Sequence, residues 1–132
     1  MKQSPLLEFE STAFAIAPGE DERTNPGIFG KALAEWLAVA LRVQGFSSAE
    51  IIPEDFGWCV PLESKPHKLY VACASAEELP SHWRVFVFAE GALMARVLGK
   101  DKSAESVAAA FAAVKQALQS SPEVRGLREE PA

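Results

Sequence analysis

A chain of 132 residues sits at the commonest domain size, so one hydrophobic core is expected and two are hard to fit. A hydrophobic content of 48% with 23% charged residues is too apolar for a disordered chain. A net charge of −5 with a pI near 5.1 lacks the basic footprint of a nucleic-acid binder.

The longest apolar candidate for a membrane span, residues 28–43, is interrupted by Lys31, Glu35 and Arg42 and falls short of the roughly 18 uninterrupted apolar residues a span needs. Residues 1–10 hold one lysine and early acids, which is no secretory pattern. Two cysteines are too few for a disulfide scaffold, and together these features point to the reducing cytoplasm. The excess acid is confined to one half. Residues 1–66 carry 5 basic and 10 acidic side chains, residues 67–132 carry 8 of each.

In chain order, residues 6–17 alternate Leu7 and Phe9 with Glu8 and Glu10 and then run through small residues, which reads as a first strand. Residues 18–27 contain every loop residue type and four consecutive charges, Glu20 to Arg23, which reads as a solvated loop. Their charge matches a calcium loop, but the alternating ligands of an EF-hand are missing. Thr24 or Asn25 followed by Pro26 is a helix start signal. A helix is expected over residues 27–44, ending at Gly45. Lys31, Glu35 and Arg42 mark its narrow polar stripe, whereas Phe29, Leu33, Trp36, Leu37, Ala40 and Leu41 fill most of the remaining circumference. Gly30, Ala34 and Ala38 add a small-residue ridge for a close helix neighbour, and Trp36 is expected to point into the core.

From residue 49 the period shifts towards two: a strand broken by Pro53, a strand over 56–63, a turn at 64–67, and strands over 68–75 and 82–90. In the last of these Trp83, Val85 and Val87 alternate with Arg84, Phe86 and Phe88, so both faces carry apolar groups and a central place in a sheet is expected. Residues 91–100 fit a short helix or a strand equally. Residues 101–120 read as the second helix, capped by Ser103 or Ser106, with Val107, Phe111, Val114 and Leu118 as its apolar stripe. Val124 and Leu127 in the tail fit one short edge strand.

The chemistry-bearing inventory is small: two histidines, two cysteines and one tyrosine, with no phosphate-binding loop, HExxH, GxSxG or CxxC. If the hairpin turns symmetrically about position 66, Cys59 and Cys73 stand opposite each other, about 4.5–5.5 Å apart at Cβ. They then read either as a redox pair or half of a soft-metal site, or as two small buried hydrophobes, the latter favoured because no basic residue lies near to lower a thiol pKa. Glu54-Asp55-Phe56-Gly57-Trp58 is the densest unusual stretch. One reading is a small pocket in which Glu54 or Asp55, shielded by Phe56 and Trp58, binds a cation or serves as a general base with a raised pKa, which makes Glu54, Asp55 and Trp58 the candidate ligand- or partner-binding residues; the other is a solvated turn followed by core aromatics. His67 and His82 read as exposed titrating groups. No metal site and no cofactor is indicated.

The segments Asn25-Pro26-Gly27-Ile28-Phe29-Gly30-Lys31-Ala32-Leu33-Ala34-Glu35-Trp36-Leu37 and Glu54-Asp55-Phe56-Gly57-Trp58-Cys59 resemble uncharacterised small bacterial cytoplasmic proteins. The likeness spans residues 24–60 and implies no activity and no site residues.

The expected fold is therefore a single α+β domain over residues 1–132, with residues 1–5 and 129–132 as flexible ends. It is a two-layer sandwich in the order β-α-β-β-β-α, with an antiparallel sheet of four to five strands and two helices on one face. The expected function is a non-enzymatic protein-binding module that uses an exposed sheet face and can pair with itself. The alternative is a small-molecule-binding protein or enzyme with a pocket near Glu54, Asp55 and Trp58. Neither nucleic acid nor membrane is an expected partner.

Overall fold

The computed structural model describes residues 3–63, 68–76, 79–90 and 103–131. The elements run β1 (Leu6–Glu10), a 3-10 turn (Glu20–Glu22), α1 (Lys31–Val43), β2 (Ile52–Glu54), β3 (Gly57–Leu62), β4 (Leu69–Ala76), β5 (Leu79–Ala89), α2 (Ser103–Gln119) and β6 (Arg125–Glu130). The strands form one sheet in the order β2-β3-β4-β5-β1-β6, with every neighbouring pair antiparallel. The architecture is α+β, with six strands where four to five were expected. Ile52–Glu54 folds back on β3 with Glu54 opposite Gly57, so the stretch broken by Pro53 is a separate edge strand, a place in a sheet where proline is tolerated. The sixth strand is the short C-terminal one, paired with β1.

Alternation decides the two faces. Leu7 and Phe9, Trp58, Val60 and Leu62, Leu69, Val71 and Cys73, and Trp83, Val85 and Val87 share one face. There they join Leu33, Ala34, Leu37, Ala38 and Leu41 of α1 and Val107, Ala110, Ala113, Val114 and Leu118 of α2 in one core. Both helices therefore lie on that face, and a side-chain N–H of Gln44 bonded to the Ala113 carbonyl at 2.8 Å ties them together. The largest fully buried side chains are Trp58, Trp83 and Phe9, each contributing about 1.5–3 kcal/mol by leaving water. Trp36 is only half-buried and packs edge-on against Phe14 at 5.6 Å. Trp83 is the anchor instead, its indole N–H donating to the Ser11 carbonyl at 3.0 Å.

The strand over 6–17 stops at Glu10 because Ser11 turns away, its amide bonded to Ser81 and its carbonyl taken by Trp83. The helix over 27–44 starts only at Lys31, with Gly30 as its cap. No local side chain caps it. Glu20, from the loop expected to be solvated, is 7% exposed and its carboxylate accepts the amides of Gly30 at 2.8 Å, Lys31 at 3.0 Å and Ala17 at 3.2 Å. It does the work assigned to Thr24 or Asn25, since two of the four open amides of the first helical turn region find a carboxylate there. The ends expected to be flexible hold sheet-bonded residues: Ser4 exchanges bonds with Val87, and Glu129 and Glu130 pair with β1. The turn at 64–67 with His67, and residues 91–100, lie outside the described residues.

Candidate functional site

The face away from the helices can be read row by row from the register. One row sets Cys59 opposite Ala72 and Ala72 opposite Phe86; the next sets Pro61 opposite Tyr70 and Tyr70 opposite Phe88. A third runs from Ala74 to Arg84, then to Glu8 and Arg128. Small residues floor the β3 and β4 side and rings rise from β5. Phe56, from the two-residue turn between β2 and β3, joins them. Tyr70 stacks on Phe88 at 5.1 Å, Phe86 lies 5.9 Å from Phe88, and Phe56 lies 6.3 Å from Phe86 and 6.1 Å from Phe88. These four rings form one continuous surface cluster, with Phe56 43% exposed.

Charges of both signs border the rings. Glu8 is shared by Arg84 at 3.6 Å and Arg128 at 3.4 Å. At the other end Tyr70 donates its hydroxyl to Glu90 at 3.1 Å, and the Lys68 ammonium stands 5.8 Å above the Tyr70 ring. Burial, and then the Glu90 carboxylate, raise the Tyr70 pKa, so the phenol stays protonated and the bond is a neutral O–H to an anion.

Beside the rings a groove of about 820 Å³ opens, floored by Ala72 and Ala74 and walled by Phe56 and Phe86, by the loop from Asn25 to Ile28, and by Leu6 with Arg84 at its mouth. The Asn25 amide donates to the Asp55 carbonyl at 3.1 Å, and the Phe29 carbonyl takes the amide of Ser75. Gly30 and Gly57 both abut the Cys73 carbonyl. A Cβ on Gly30 would stand 2.5 Å from its oxygen, and one on Gly57 would overlap that oxygen and reach the Ala74 Cβ at 3.0 Å.

The three residues singled out in the sequence do not converge. Glu54 ends β2 and Asp55 sits in the turn, both exposed. Trp58 is 2% exposed on the helix side, where Lys31 and Arg23 stand 5.4 and 5.6 Å above its ring. The intervening Gly57, at φ 151, turns the chain so that Phe56 and Trp58 lie on opposite faces, which separates the two aromatics expected to shield one carboxylate. The outer-face rings were partly legible in the alternation of Phe86 and Phe88. Phe56 and Tyr70 were not, because only register brings them to β5.

The cysteines also part. Trp58, not Cys59, stands opposite Cys73, and Cys59 stands opposite Ala72. This one-residue difference in pairing puts Cys73 in the core and Cys59 on the outer face. Both are free and buried. Burial, helped by Glu54, pushes the Cys59 pKa up to about 12, and burial raises that of Cys73 well above the usual thiol range. Neither thiol is poised as a nucleophile. His82 is half-buried, with Nε2 3.3 Å from Glu10. Among the described residues no three His, Cys, Asp or Glu side chains gather to hold a metal ion, and no helix is long and apolar enough to cross a membrane.

A competing apolar surface lies on the helix side, where Val39 is 57% and Val43 85% exposed beside a shallower groove lined by Trp36 and Ala40. It lacks the ring-to-ring continuity of the outer face. No family model, curated protein or solved structure matches this chain.

Proposed function

We propose that this chain is a non-enzymatic protein-binding module of the cytoplasm whose contact surface is the outer sheet face. The observation that carries this reading is the unbroken cluster of Phe56, Tyr70, Phe86 and Phe88 on the face opposite both helices. Fold stability needs one covered sheet face; a second row of aromatics facing water costs solubility and is kept where a partner covers it. Aromatic side chains bring large contact area for little lost rotamer freedom and dominate interface energetics. The groups that usually carry catalysis are dispersed: protonated thiols on opposite faces and acids at an exposed turn.

The test separates rings kept for contact from rings kept for folding, using an apolar fluorescent dye, anilinonaphthalene sulfonate, as the probe. Diluted to the monomer, wild type binds the dye in its native state, and Phe86→Ser/Phe88→Ser abolishes that binding while lowering stability by less than about 1.5 kcal/mol per ring, against the 3–5 kcal/mol of a true core aromatic. Unfolding of the double variant, or unchanged dye binding, would refute the reading.

The second reading, a small-molecule pocket near Glu54, Asp55 and Trp58, finds its support in the adjacent groove, whose volume falls within the usual range for ligand sites. The loop bonded to Asp55 forms one of its walls. A metabolite library that raises the melting temperature, with the rise lost in Glu54→Gln or Asp55→Asn, would favour it over the protein-contact reading.

A further inference from the structure

Along β5 and the residue that follows it, the outward side chains read Arg84, Phe86, Phe88, Glu90: a cation, two rings and an anion at alternate positions. This order is complementary to its own reverse. Turned end for end about position 87, the cation meets the anion and one phenylalanine meets the other. No other described strand has such an order: β6 carries charges without rings, and β3 offers only small residues outward.

Resting on the reading of this face as a contact surface, we infer that its occupant is a second copy of the chain. Two β5 strands pack face to face in opposite directions about a two-fold axis at Val87. Arg84 of each copy then sits against Glu90 of the partner subunit, and Phe86 against Phe88 of the partner subunit. Such a contact is isologous, so each pair occurs twice and the assembly closes at two. Stacked sheets lie about 10 Å apart, with strand directions within about 30°. Six residues at about 3.3 Å place each terminal charge about 10 Å from the axis, near the edge of the ring cluster, where a polar rim belongs.

Charge supports the same occupant. The chain is acidic, with net charge −5, and this face carries both signs: Lys68, Arg84 and Arg128 stand among Glu8, Glu10, Glu90 and Glu130. Two copies meeting here can therefore set opposite charges against each other. Arg84 and Arg128 share the single carboxylate of Glu8, and a guanidinium carries five N–H donors, more than that carboxylate can take. Donors remain for a carboxylate across the interface.

The experiment is sedimentation velocity on the full chain and on Arg84→Glu and Glu90→Arg, alone and mixed in equal amounts. The account predicts a wild-type dimer. Each single variant should raise the dimer dissociation constant at least about tenfold, because every symmetric exchange sets two like-charge pairs across the contact. The equimolar mixture should dimerise again, since one partner then presents acids at positions 84 and 90 and the other presents bases. Glu35→Arg, an exposed exchange on α1, should leave the dimer unchanged. Melting curves confirm that each variant is folded; Glu90→Arg lies beyond the end of β5 and carries the test if Arg84→Glu disturbs the pairing with Glu8. A wild type that stays monomeric throughout the dilution series overturns the inference, as does a dimer indifferent to both charge reversals or a mixture that stays monomeric. A monomer that still binds the dye through Phe86 and Phe88 leaves the face a contact surface for another protein. A monomer with no dye binding overturns both readings.

Discussion

Replacing Gly57 by alanine adds one methyl group where β3 leaves its turn and runs beside β4. At φ 151 the residue occupies a region that side chains rarely adopt, which costs about 1–3 kcal/mol for a non-glycine residue. The new Cβ would overlap the Cys73 carbonyl oxygen and press on Ala74. That carbonyl belongs to the backbone of a central strand, so it cannot swing aside as a flexible side chain would, and overpacking of this kind costs about 1–3 kcal/mol more. The expected loss is thus about 2–6 kcal/mol out of a total of about 5–15. Equilibrium urea denaturation measures it, with an unchanged slope showing that the two states compared are the same. A loss below about 1 kcal/mol at constant slope would mean that β3 and β4 slide apart at little cost and that this close approach does not fix the turn bearing Phe56.

Other substitutions probe the same framework. Glu20→Ala should cost about 2 kcal/mol, because the amides of Gly30 and Lys31 lose their acceptor; far-ultraviolet dichroism and urea melts check it, and a loss within about 0.5 kcal/mol would show that water replaces the carboxylate. Trp83→Ala should cost about 3–5 kcal/mol and Trp36→Ala less than about 2, since one is fully buried and hydrogen-bonded while the other is half-buried; equal losses would refute the assignment of the anchor. The native thiols should resist alkylation at pH 8, with labelling paced by unfolding. Because the folded Cys59 thiol has its pKa raised from 9.0 to about 12, the folded state holds a proton that the unfolded chain releases above pH 9. Stability should therefore fall as pH rises through that window, and Cys59→Ala should flatten the fall. An identical slope in the variant would contradict it.

The two helices and their common face could be read from the chain because amphipathic periodicity is local: the stripe of Lys31, Glu35 and Arg42 is exposed as written. The start of α1 could not, because its cap is a carboxylate eleven residues upstream, and a local reading assigns that role to Thr24 or Asn25. Thr24 is instead turned inward, its hydroxyl donating to the Ile28 carbonyl at 2.6 Å. Strand pairing shows the same limit. The alternation in residues 83–88 announced a central strand with two apolar faces, and β5 does lie between β4 and β1. But the separation of Cys59 from Cys73, and of Phe56 from Trp58, turns on a one-residue choice of register and on the conformation of Gly57, which alternation does not encode. For that reason the candidate surface moved from Glu54, Asp55 and Trp58 to the rings on the other side of the same hairpin.

The central claim, that the outer sheet face is the contact surface, is tested most directly by hydroxyl-radical footprinting of the full chain at low and high concentration. The account predicts that Phe56, Tyr70, Phe86 and Phe88 are oxidised in dilute protein and protected in concentrated protein, while Val39 and Val43, exposed on the helix side, are oxidised equally in both. Protection of Val39 and Val43 with the four rings still reactive would contradict it and move the interface to the helices.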